Sequence, residues 1–143
     1  MVWLLVLHVA ASMVYVGGHL VENLLLYRPE AVGGRAQVFR ALRAGEPAIN
    51  VAAPTMIITG VIMVIVEDAW SFTSPFVLIG IGAILVSAVV GLPILREMKA
   101  LETLIEERGE TDEVRQRYRR LSAAWSGLGV AYLVAAWAMV FKP

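Results

Sequence analysis

Four mostly apolar stretches, at 2–27, 47–66, 75–95 and 121–141, constrain this chain more than any other feature. A hydrocarbon core roughly 30 Å thick is crossed by about 20 residues rising ~1.5 Å each, and every stretch has that length. In lipid a backbone N–H or C=O must find its partner within the protein, so a lone apolar stretch of this length reads as a helix. Apolar residues fill 59% of the 143 positions and charged residues 17%, more apolar surface than a water-solvated domain of this size can hide. The predicted fold is all-α, a membrane-embedded bundle of four transmembrane helices forming one domain over 1–143. Its first partner is the lipid bilayer.

The charges are arranged by topology. Arg28, Arg35, Arg40 and Arg43 lie between the first two stretches, and Arg96, Lys99, Arg108, Arg115, Arg117, Arg119 and Arg120 between the last two. The link 67–74 has no lysine or arginine. The positive-inside rule therefore puts both basic loops in the cytoplasm and both termini outside. The formal net charge is zero, which leaves no basic field for nucleic acid. With no cysteine, disulfides, thiolate metal sites and dithiol redox chemistry are excluded, and redox work would need a bound cofactor. No basic residue precedes the first stretch, so it reads as a retained helix rather than a secretory signal.

Local signals refine the boundaries. Glu46-Pro47 and Ser74-Pro75 each set a capping residue before a proline at the first helical position, predicting that the second and third helices start there. Val38, Phe39 and Leu42 alternate with Arg35, Arg40 and Arg43, as in a short helix lying in the inner interface and ended by Gly45. Leu95, Met98, Leu101, Leu104 and Ile105 keep helical spacing among charges, and Val114, Tyr118 and Leu121 repeat it. Helices three and four thus extend into a cytoplasmic hairpin, about 75–107 and 112–141, turning near Gly109, with a bend expected at Pro93. Small residues four apart, Ala83, Ser87, Gly91 and Gly127, Ala131, Ala135, suit close helix packing within the bundle ahead of a dimer face.

The one row of polar groups is on the first helix. His8, Ser12, Tyr15, His19 and Glu22 are spaced by four, three, four and three residues, so they share one narrow face. Ionisable groups at membrane depth cost at least ~2.5 kcal/mol and turn toward protein or a watery cavity. His8 is either a satisfied interior histidine bonded to a neighbouring carbonyl or a ligand. His19 and Glu22 either bond only each other or form a proton relay. Tyr15 and Ser12 read first as interhelical hydrogen-bond partners, and Met13, Met56, Met63 and Met139 as gap-filling core. Trp3, Tyr27, Trp70 and Trp137 suit interfacial anchors, and Asn50 and Thr55 suit repair of the backbone bonds that Pro54 frees. The two histidines are roughly 16 Å apart along the axis, which excludes a bis-histidine haem in one subunit. One-histidine ligation stays open, with Met56 and Ser87 reckoned at about the depth of His19 and Met139 at that of His8.

Leu7-His8-Val9 followed by Tyr15-Val16-Gly17-Gly18, then Leu24-Leu25-Leu26-Tyr27 and a basic loop, resembles the first helix of the CopD/HemJ-like superfamily of small membrane proteins. Ala53-Pro54-Thr55-Met56 with Gly60 is similar to the HemJ pattern in helix two, and Val140-Phe141-Lys142-Pro143 to its C-terminal end. The resemblance covers nearly the whole chain. It implies a four-helix bundle in a bacterial plasma membrane, with His8 matching the first-helix histidine associated with haem b. Tyr15 stands where a tryptophan is usual, Arg28 where a histidine is expected, and 73–76 lacks the lysine of the HemJ-type oxidases. Those departures set the chain beside the uncharacterised members.

Three functional expectations follow. The first is a haem b or metal protein of membrane redox or haem-related chemistry, with His8 as ligand and Tyr15, His19 and Met56 around the cofactor. The second is a proton-coupled transporter in which His19 and Glu22 change protonation. The third is a non-catalytic subunit or assembly factor, with a second copy or a membrane-complex partner docked on the hairpin. Composition and spacing do not decide whether the chain is an enzyme.

Overall fold

The protein is described here by a computed structural model covering residues 2–66 and 71–141. Glu67, Asp68 and Trp70, the Lys142-Pro143 end and the side chain of Met139 lie outside the described residues, and so do the readings placed on them. The chain forms α1 (Val2–Tyr27), a 3-10 turn (Pro29–Val32), α2 (Arg35–Val66), α3 (Pro75–Arg108) and α4 (Asp112–Phe141). All four helices are long and apolar enough to cross a membrane. Within their apolar windows between 11% and 39% of residues are buried, so most side chains point outward into what must be lipid.

α1 packs chiefly on α2 and α3 on α4; the hairpins meet along α1 and α4, while α2 and α3 touch most sparsely. The 3-10 turn ends in Gly33 and Gly34 at φ +93° and +109°, a left-handed conformation that favours glycine and lets α2 reverse against α1. Gly109, at φ +70°, closes α3 as the turn signal predicts. Ser74 precedes Pro75 at the head of α3, but its hydroxyl turns back to the Ser71 N–H at 3.1 Å instead of capping the helix. α3 then runs on through Pro93.

The separate interfacial helix is overturned. α2 is continuous from Arg35, through Gly45 and Pro47, to Val66, so helix two does not start at Pro47. Val38, Phe39 and Leu42 are buried against Leu26, Ile94, Leu101, Val114, Tyr118 and Leu121 rather than laid on a bilayer. That protein core replaces the lipid face the amphipathic pattern seemed to require, and its burial outweighs the ~1 kcal/mol cost of a glycine inside a helix. Pro47 and Pro54 have no N–H, which leaves the carbonyls of Arg43 and Asn50 without a helical donor. Thr55 does not repair this loss: its hydroxyl donates to the Val51 carbonyl at 2.7 Å.

At the basic end, ion pairs tie the helices beyond the apolar spans. Arg117 grips Glu97 through Nε and Nη2 at 2.7 and 3.0 Å, Arg43 meets Glu102 at 2.5 Å, and Arg35 pairs with Glu110. The Arg117 guanidinium holds the Glu97 carboxyl below its ordinary range. Arg35 also lies over the Tyr118 ring, 5.0 Å from its centroid, and burial pushes that phenol up to about 12.

Candidate functional site

The row on α1 goes to two destinations. His8, half-buried, faces α2: its Nδ1 lies 3.0 Å from both the Met56 carbonyl and the Thr59 hydroxyl. Gly60 makes that approach feasible, because a Cβ there would stand 3.1 Å from His8 Cε1. Ser12 donates to the His8 carbonyl at 2.8 Å. His8 is thus the satisfied histidine of the two sequence alternatives at Nδ1, with Nε2 left as the nitrogen for any ligand role. Met56 supplies its backbone to His8 and so lies at the level of His8, not of His19. The depth reckoning fails because it starts α2 at Pro47; the observed register sets Ile49 against Gly18 and Gly60 against His8.

The lower part of the row turns toward α4. His19 is 9% exposed and its Nδ1 is 2.6 Å from Glu22 Oε2, a charge-assisted distance. Three rings enclose the imidazole. Tyr132 stacks on it at 4.8 Å, while Tyr15 and Trp125 meet it edge-on at 4.7 and 5.5 Å between centroids. The Tyr15 and Tyr132 hydroxyls bond each other at 3.0 Å, closing the ring of contacts between α1 and α4. Asn23 donates to the His19 carbonyl at 2.9 Å and is accommodated by Gly129, where a Cβ would stand 2.7 Å from the amide nitrogen. Its Oδ1 is buried without a partner.

This cluster lines a cavity of about 580 Å³ bounded by α2 and α3, the least tightly joined of the neighbouring helix pairs. Tyr15, His19 and Glu22 from α1 and Trp125, Leu128 and Tyr132 from α4 contribute to its walls. Ala88, Gly91, Leu92 and Leu95 make much of the α3 wall, and Asn50 and Ser87 add polar groups at mid-height. Toward the basic end it is rimmed by Arg43, Glu46, Lys99 and Glu102, and the Arg43–Glu102 pair bridges α2 to α3 there. Its volume and its mostly apolar wall with a few polar groups fall within the range of small-molecule sites.

His19, Glu22 and Tyr15, all singled out by spacing, share this cavity; His8 and Met56 line neither it nor a smaller one of about 220 Å³ between α1 and α2. Trp125 and Tyr132 are contributors that sequence reasoning missed. Their spacing of seven on α4 was a visible signal, read only as part of an apolar span. No group of three or more His, Asp or Glu able to hold a metal is found among the described residues. Glycine at 91 and 127 has open space around it; close approaches to glycine are at Gly18, Gly60 and Gly129.

No curated protein and no solved structure matches the chain. Four membrane-length helices agree with the family model that matches residues 2–143: the chain belongs to the family described as "Predicted integral membrane protein (DUF2269)".

Proposed function

We propose that this protein is a proton-coupled transporter of a small amphipathic solute, set in a prokaryotic plasma membrane with its basic end in the cytoplasm and both termini outside. The observation that carries the reading is the 2.6 Å His19–Glu22 contact on the wall of the cavity. The contact sets an imidazole against a carboxylate at a depth where an unpaired charge is costly, so a solute that competes for Glu22 displaces a contact along which a proton can pass. The weak α2–α3 seam gives the solute a way in, and the Arg43–Glu102 bridge spans it. Orientation rests on the arginine distribution and the positive-inside rule.

Proteoliposomes loaded with a pH dye test the coupling. The wild-type chain should dissipate a pH gradient at least about tenfold faster than Glu22→Gln, the order expected for removing a proton-transfer group. Equal rates reject the reading. A second measurement uses Trp125 as the only tryptophan, with Trp3, Trp70 and Trp137 replaced by phenylalanine. A protonated imidazole draws electron density from an excited indole in contact, so emission should titrate with pH and the titration should vanish in His19→Gln.

The same geometry favours one other reading, haem b binding, which the CopD/HemJ resemblance supports. A histidine whose Nδ1 is fixed by a carboxylate has the second-shell arrangement that orients Nε2 toward a metal, and His19 has it beside the larger cavity. His8, which the resemblance would choose, has its Nδ1 on a carbonyl and no part in that cavity wall. On this reading haem-loaded protein in detergent shows a Soret band that is lost in His19→Ala and kept in His8→Ala. The reverse pattern would restore His8 as the ligand, and no band in the wild type would end the haem reading.

A further inference from the structure

The basic residues differ in partner and in height. Arg35, Arg43, Arg115 and Arg117 each have a carboxylate within ion-pair distance. Arg28, Arg96, Arg119 and Arg120 have none among the described residues, and all four are exposed; Arg40, which bonds the Gln37 amide oxygen, and Lys99 are likewise exposed and without a carboxylate. Heights follow from the α3–α4 hairpin. The Glu97–Arg117 pair sets position 97 level with 117 in two antiparallel helices, so Arg119 and Arg120 lie level with Leu95 and Ile94, where the third apolar span ends. Arg96 follows that span directly, and Arg28 follows the last residue of α1. Arg108, also unpaired, sits ~20 Å beyond Leu95 at the hairpin tip, where the C-terminal dipole of α3 favours a cation.

An unpaired guanidinium at the edge of an apolar span is at the depth of lipid headgroups, and arginine's planar fork matches a phosphate. Carboxylates pair with Arg35, Arg43, Arg115 and Arg117, and the bilayer-edge arginines, with Arg40, Lys99 and Arg108, have none among the described residues. We propose that Arg28, Arg96, Arg119 and Arg120 form a belt that binds the phosphates of anionic phospholipids in the leaflet at the basic end. Arg119 and Arg120, adjacent on α4 and level with the end of the α3 span, form its strongest part, with Arg96 beside them on α3. Binding joins α3 to α4 from outside the hairpin, as Glu97–Arg117 does from within.

The test is thermal unfolding of the full chain in neutral detergent micelles doped with phosphatidylglycerol or, at the same mole fraction, phosphatidylcholine. Phosphatidylglycerol should raise the midpoint above phosphatidylcholine by at least about 3 °C, since juxtamembrane arginines each interact appreciably with anionic lipid. At 1 M salt, where the Debye length is ~3 Å, the difference should collapse. Arg119→Gln with Arg120→Gln should remove more than half of it, and Arg96→Gln, a milder change, a smaller share. Arg115→Gln should keep it whole. Equal midpoints in the two lipids, an undiminished difference in the Arg119/Arg120 and Arg96 variants, or an equal loss in Arg115→Gln would each overturn the belt.

Discussion

At the basic end the buried side chains are large: Leu26, Phe39, Leu42, Leu101, Tyr118, Leu121 and Trp125 pack into one cluster. At the opposite end, Met63 apart, they are small or polar, with Ala11, Thr59, Gly80, Ala135 and Ala138 among them, while Leu78, Leu85, Val130 and Val134 turn outward. The two ends have different solvents. Where helices emerge into water, apolar area must be covered by protein, and large residues do it at ~25 cal/mol per Å². Where the surround is acyl chain there is no such gain, and helices associate through close backbone approach and interhelical hydrogen bonds. The cavity with His19 and Glu22 lies beside the junction of these two regimes, walled in part by Phe39 and Trp125 of the large-residue cluster.

The contrast is broken most directly by truncating a leucine at each end. Leu101, fully buried, should cost about 2–5 kcal/mol as Leu101→Ala, whereas Leu85, 61% exposed, should cost no more than ~0.5 kcal/mol in detergent as Leu85→Ala. Similar losses at the two sites would show that the ends share one packing rule. Next comes close approach. Gly129→Ala places a methyl 2.7 Å from the Asn23 amide, displacing the bond to the His19 carbonyl, and should destabilise by ~1–3 kcal/mol in unfolding titrations. Gly127→Ala, in open space two residues away, should be neutral or slightly stabilising through helix propensity.

Smaller still is the tie between hairpins: Tyr15→Phe deletes the 3.0 Å bond to the Tyr132 hydroxyl and should lose about 0.5–1.5 kcal/mol in the same titration. The smallest effect belongs to an ion pair just beyond the apolar spans. Glu97 is held below its ordinary range in the folded protein by Arg117, so the pair contributes above about pH 4.3 and its contribution disappears as pH falls through the folded value. The pair is part-exposed, so Glu97→Gln should cost under ~1 kcal/mol at pH 7, and the difference from wild type should vanish in acid. A cost that does not shrink as pH falls would place its origin in packing.

Much of this was legible beforehand where one physical signal acted alone. Span lengths, the arginine-bearing hairpin with its turn at Gly109, and the inward row on α1 all follow from hydropathy and periodicity. Residues 35–46 were misread because an amphipathic helix looks alike whether its apolar side meets lipid or protein. Only the presence of Leu101 and Val114 opposite Phe39 settles which. The level of Met56 was misread because a proline marks a favourable helix start without compelling one. Trp125 and Tyr132 escaped notice because an aromatic pair on an apolar helix carries no sign of what it faces; the hydroxyl and imidazole it meets come from over a hundred residues away.

The prolines of α2 give the cavity walls unequal stiffness. Both residues whose carbonyls lose their helical donor, Arg43 and Asn50, border the void, and they stand two turns apart on the same helix face. α1 opposite keeps its full ladder of rungs. A change in the width of the space should therefore be taken up by α2 and, through Pro93, by α3, like the soft sides of a bellows, rather than by the proline-free helix that presents His19 and Glu22.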